Sequence, residues 1–87
     1  MTVRIRITDR YRKAARRIPA YVREKAIQTL EEFIVDPGRP GLRFERLAGW
    51  DSMFSIRVTR GYRILLMEEA DGVFAVVDIG SHEVYRR

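Results

Sequence analysis

The stretch from Phe54 to Met67, FSIRVTRGYRILLM, restricts the possible folds more than any other part of the chain. Phe54, Ile56 and Val58 alternate with Ser55, Arg57 and Thr59, and beyond Gly61 the residues Tyr62, Ile64 and Leu66 alternate with Arg63, Leu65 and Met67. Period-two alternation marks a strand with one buried face, so the stretch predicts a β-hairpin. Two registers are open. A two-residue turn at Arg60-Gly61 places Val58 opposite Arg63 and mixes apolar and basic side chains on each face. A three-residue loop, Thr59-Arg60-Gly61 with Gly61 left-handed, pairs Val58 with Tyr62 and Arg57 with Arg63. The second is preferred, because a one-residue slip moves a whole apolar set to the wrong side. It leaves two arginines opposed on the face turned from the core, where like charges cost stability and an anionic ligand would relieve them.

Eighty-seven residues form one domain, 1–87, with a single modest core. The chain has no cysteine, so disulfides and thiolate chemistry are excluded, which fits a reducing cytoplasm. No apolar run reaches the roughly 18 residues of a membrane-spanning helix, and the first residues, MTVRIRITDR, lack the apolar core of a signal peptide. A soluble, cytoplasmic protein without a membrane partner is expected. The net charge is +5, and of 17 basic residues only Lys13 and Lys25 are lysine. Such a balance suits a polyanionic partner, nucleic acid or an acidic protein; a solvated arginine-rich surface is the competing explanation.

Val3, Ile5 and Ile7 alternate with Arg4, Arg6 and Thr8, predicting a first strand. Thr8 or Asp9 then caps a short helix from Arg10 to Arg17, with Tyr11, Ala14, Ala15 and Ile18 on one side and the densest basic cluster of the chain on the other. That cluster is a secondary contact surface or a solvated face. A second helix runs from Pro19 to Val35, its apolar stripe being Val22, Ala26, Ile27, Leu30, Phe33 and Ile34. Asp36-Pro37-Gly38 ends it. The segment Leu42 to Asp51 resists assignment: Leu42, Phe44 and Leu47 can reach a core, Glu45 is a carboxylate leading into the arginine-bearing strands, and Ala48-Gly49 is a turn. Trp50 reads as a core-edge or partner-contact residue rather than a base-stacking platform. A type I′ turn at Asp71-Gly72 pairs Leu66 with Val77 and Ile64 with Ile79, placing Val73, Ala75, Val77 and Ile79 in the core and Phe74, Val76 and Asp78 on the arginine face. There Asp78 would neutralise Arg57 or Arg63. The expected fold is α+β: an N-terminal strand and a two-helix hairpin packed on one face of a mainly antiparallel four-stranded sheet.

In its strand followed by a helical hairpin, its LAGWDSMFSIRVTRGYRILL region and its ending VVDIGSHEVYR, the chain resembles the RelE/ParE superfamily of type II toxin–antitoxin modules. That resemblance implies a toxin of the RelE- or YoeB-like kind, an endoribonuclease that cuts mRNA on the ribosome without metal or other cofactor and leaves 2′,3′-cyclic phosphate and 5′-hydroxyl ends. It implies Arg63 at the scissile phosphate, Arg57 as a basic neighbour, Tyr85 stacking on or orienting the substrate, and His82 and Glu45 as acid and base. Arg60 and Arg86 join Arg57 as candidate substrate-binding residues. The expected partner is a cognate antitoxin held in a hetero-oligomer. The superfamily's ParE-like members imply an alternative, a non-catalytic poison of DNA gyrase. Ser55, and Ser81-His82 after the final glycine, replace basic residues common in strongly active members.

Overall fold

The structure, a computed structural model, describes residues 2–81. Strand β1 (Arg4–Ile7) leads into helices α1 (Asp9–Ala15) and α2 (Ala20–Val35), a single 3-10 turn (Pro40–Leu42), and strands β2 (Glu45–Arg46), β3 (Met53–Thr59), β4 (Tyr62–Ala70) and β5 (Val73–Gly80). The strands form one sheet in the order β1-β5-β4-β3-β2, with β1 parallel to β5 and every other pair antiparallel. The α+β arrangement is the expected one. A fifth strand comes from the unassigned segment, where Glu45 pairs with Ser55 and Arg46 with Phe54.

Local chemistry accounts for the helices. Thr8 has extended backbone, and its Oγ1 accepts from the Tyr11 amide at 3.1 Å, a side-chain N-cap. The same hydroxyl donates to the Val76 carbonyl at 2.7 Å, which fastens the start of α1 to β5. Arg23 donates from one Nη to the carbonyls of both Ala15 and Ile18 at 3.0 Å, satisfying acceptors that the end of α1 leaves open. Pro19 sits at the N-cap of α2 rather than inside it. The buried stripe of α2 is Val22, Ala26, Thr29, Leu30 and Phe33. Thr29 replaces Ile27 in it: its hydroxyl is satisfied by the Lys25 carbonyl at 2.9 Å, while Ile27 is 59% exposed.

All four phenylalanines of the chain meet at the centre. Phe44 stacks on Phe54 with ring centres 5.0 Å apart, and Phe33 and Phe74 pack edge-on against Phe44 at 5.1 and 5.7 Å. Edge-on and offset aromatic pairs contribute beyond their buried area. Phe44 thereby pins the connection that carries β2.

The central hairpin combines the two registers that the sequence leaves open. Its turn is the two-residue Arg60-Gly61, since Thr59 pairs with Tyr62, yet Arg57 still pairs with Arg63 because Val58 forms a bulge between them. Val58 therefore does not pair with Tyr62. Nor is Gly61 left-handed: Gly49 and Gly72 are the glycines with positive φ among the described residues. A bulge absorbs one residue and restores the face distribution that the apolar pattern demands. Phe54, Ile56, Val58, Ile64 and Leu66 all enter the core.

Between β4 and β5 the ends are as expected, with Ile64 opposite Ile79 and Ala70 opposite Val73. The middle is not. Bulges at Glu69 and at Val77 bracket a segment shifted by one residue, in which Leu66 pairs with Val76 and Glu68 with Phe74. The shift brings Phe74 and Val76 into the main core cluster, while Ala75, though fully buried, and the half-buried Val77 lie outside it, because a phenylalanine buries far more apolar surface than an alanine. The turn is also not type I′: only Gly72 is left-handed, at φ 73°, while Asp71 is not. From its bulge Glu69 spans β5 to reach Arg6 of β1 at 2.6 Å.

Replacing Phe74 by alanine is expected to destabilise the fold by about 3–5 kcal/mol, read by chemical denaturation. The hydrogen bond and charge of Arg6 hold the Glu69 carboxyl below its ordinary pKa. Its contribution is therefore present above the unfolded-state pKa and lost as pH falls through the lower folded value. In acid melts, Glu69→Gln is expected to show a flatter loss of stability across that window than the parent chain.

Candidate functional site

On the face away from the phenylalanines, the ladder pairs define two adjacent rows. One runs Glu45, Ser55, Leu65, Asp78 across β2, β3, β4 and β5; the next runs Arg57, Arg63, Gly80 across β3, β4 and β5. Side chains opposite one another in such rows lie about 4.5–5.5 Å apart at Cβ, and diagonal neighbours about 7–8 Å. Glu45 and Arg63 thus belong to neighbouring rows of one surface, a carboxylate and a guanidinium carried by separate strands.

A cavity of about 390 Å³ opens there, lined by Glu45, Arg46, Leu47, Ala48, Trp50, Ser55 and Arg63. Arg63 is half-buried, and its Nη1 is buried without a hydrogen-bond partner among the described residues. A guanidinium has five donors in a fixed fork, matched to phosphate oxygens. Glu45 is exposed and makes no ion pair among the described residues, so neither Arg43 nor Arg46 neutralises it. Glu45 also lines a second cavity of about 260 Å³ with Arg39 and Arg43. A cation and an open carboxylate lining one cavity can bind an anionic group and move a proton.

Two expected site residues, Arg63 and Glu45, therefore line one cavity. Arg57 stands opposite Arg63 in the ladder but does not line the cavity, and Arg60 is exposed on the hairpin turn. His82, Tyr85 and Arg86 lie outside the described residues. Asp78, expected to neutralise Arg57 or Arg63, is buried and makes an ion pair with Arg10 of α1 at 3.4 Å. With Arg10, Lys13 and Arg17 it lines a further cavity of about 330 Å³, so the basic cluster of α1 is partly engaged with the sheet.

Trp50 is the residue that sequence reasoning places least well. It is 58% exposed, not a core edge, and it stands on the cavity wall. Leu47 to Trp50 form a turn closed by the Trp50 amide on the Leu47 carbonyl at 3.3 Å, with Gly49 at φ 83° in the third position, where a type II turn demands a left-handed residue. The local signal was the glycine: a turn immediately before Trp50 carries the indole outward. Arg46 lies over the Phe54 ring at 4.8 Å and donates to the Asp51 carbonyl, which braces the same loop.

Among the described residues no three of His, Cys, Asp and Glu cluster as metal ligands, and no helix is long and apolar enough to cross a membrane.

The fold matches those of several solved toxins. The toxin–antitoxin complex RelBE2 from Mycobacterium tuberculosis aligns with a TM-score of 0.75 at 15% identity, covering 94% of this chain and all (100%) of that one. A mutant of the E. coli toxin RelE in the free state gives 0.70 at 23% identity, over 97% of this chain and 87% of that one. The E. coli DinJ-YafQ toxin-antitoxin complex gives 0.72 at 14%, with 97% of each chain covered. No curated protein is matched by sequence. The model of the ParE-like toxin domain matches residues 20–87, more than half of the chain. By that match the chain belongs to the ParE-like toxin domain family, and so to the RelE/ParE superfamily of type II toxin–antitoxin toxins.

Proposed function

We propose that this toxin is a ribosome-dependent mRNA endonuclease whose working centre is the cavity between Arg63 and Glu45. The observation that carries the reading is the half-buried Arg63 guanidinium, with one Nη buried and unpartnered among the described residues, in a cavity that also holds Glu45, a carboxylate with no ion pair among the same residues. In the reaction the 2′-hydroxyl attacks the neighbouring phosphorus, the new O2′–P bond forms and the P–O5′ bond breaks. Glu45 takes the 2′-hydroxyl proton, and His82, two residues past the Gly80 that pairs with Arg63, protonates the departing 5′-oxygen. The products are a 2′,3′-cyclic phosphate and a 5′-hydroxyl. Charge that develops on the phosphorane oxygens falls to Arg63, where a preorganised donor out of bulk water is worth most. Arg57, Arg60 and Arg86 supply the surrounding positive field, and Tyr85 holds a base in line for attack.

The solved neighbours include toxin–antitoxin complexes, and a net charge of +5 favours an acidic or amphipathic antitoxin lying over the same basic surface in a hetero-oligomer. A second reading draws on the matching family model, the ParE-like one: a non-catalytic poison of DNA gyrase using the same fold as a protein-binding module.

Incubating the purified toxin, free of antitoxin, with ribosomes programmed with mRNA separates the two. Cleavage is expected, and Arg63→Ala is expected to slow it about a hundred- to a thousand-fold with an unchanged unfolding midpoint. Arg57→Ala should cost less, because Arg57 stands outside the cavity. Intact mRNA together with stalled gyrase supercoiling would establish the second reading instead.

A further inference from the structure

An indole left 58% exposed on a wall of the Arg63 cavity calls for a ligand with a matching flat apolar face. The backbone that carries Trp50 is also held in place. The loop between β2 and β3 is closed by the Leu47 amide on the Met53 carbonyl at 2.9 Å, by the Leu47–Trp50 turn at 3.3 Å, and by Arg46 on the Asp51 carbonyl. Little backbone freedom remains for a ligand to remove, which lowers the entropic cost of binding at this loop. Aromatic rings beside cationic side chains are the usual means of gripping single-stranded nucleic acid, base on ring and phosphate on charge. Arg63 supplies the charge within the same cavity, and Arg39 and Arg43 continue it through the second cavity that Glu45 joins to the first.

We propose that Trp50 is the stacking platform for one nucleobase of a single-stranded RNA whose adjacent phosphate is held by Arg63. The proposal rests on the nuclease reading for the identity of the ligand, but it concerns binding rather than cleavage. The subsite takes a base splayed out of its stack. Its selectivity comes from the π-face rather than from hydrogen bonds to a base edge, so it tolerates any of the four bases.

Trp50 is the sole tryptophan of the chain, so its fluorescence reports this subsite alone. Titration of the full-length protein with a short 2′-O-methylated oligoribonucleotide, which cannot be cut, is expected to quench that emission saturably. Binding of the same labelled oligonucleotide, followed by anisotropy, should weaken roughly 5- to 150-fold in Trp50→Ala and be retained in Trp50→Phe, which keeps a ring. Unchanged fluorescence, or an Ala variant that binds as the parent does, overturns the proposal and returns Trp50 to a contact with a protein partner. If Arg63→Ala abolishes cleavage while Trp50→Ala leaves RNA affinity untouched, the subsite fails and the nuclease reading stands. Quenching by RNA with ribosome-bound mRNA left whole has the opposite meaning: the subsite stands and the nuclease reading fails.

Discussion

The contact among Phe33, Phe44, Phe54 and Phe74 is the interaction on which the rest of the molecule depends. It joins α2, the connection before β2, and strands β3 and β5 at one point. Phe44 matters most for the site, because it anchors a segment that has almost no secondary structure of its own. With Phe44 drawn under the sheet, the next residue, Glu45, falls in register with Ser55 and onto the opposite face. A carboxylate on a two-residue edge strand is thus positioned by a hydrophobic contact rather than by any polar one.

Electrostatics then divides the sheet into regions with different tasks. Arg6 and Glu69 satisfy one another across β5, and Arg10 satisfies the buried Asp78. These pairs remove charges from competition for a ligand. Arg57 and Arg63 remain opposed on the ladder, a like-charge arrangement that no packing benefit explains. It is tolerated because both side chains are only half-buried and water screens them in the free protein.

The sequence made the hairpin, both helices and the α+β class legible because each depends on a period that a single chain displays. Opposition of Arg57 and Arg63 followed from the apolar pattern alone, even though the turn that delivers it is the shorter of the two considered. What stayed hidden depends on breaks in the period. Val58, Glu69 and Val77 are bulges, and nothing in a valine or a glutamate announces that it will be skipped. The consequence was largest at Phe74, assigned to the wrong face until the gain from burying its ring is weighed against an unbroken ladder. Strand β2 was invisible because two residues carry no alternation. At the site, Arg63 and Glu45 were legible as residue types, but their place on one cavity needs β2. Of the two readings of Trp50, the core edge fails, since the residue that follows the left-handed Gly49 is 58% exposed.

The two bulges between β4 and β5 are equal and opposite, one extra residue on each strand. An unbroken ladder and the native one therefore share the same turn and the same terminal pairs, and differ only in the segment between. The strand pairs at the Arg63 end and at the turn end therefore keep the same partners as in an unbroken ladder, and the register change that admits Phe74 to the core is confined to the segment between the two bulges.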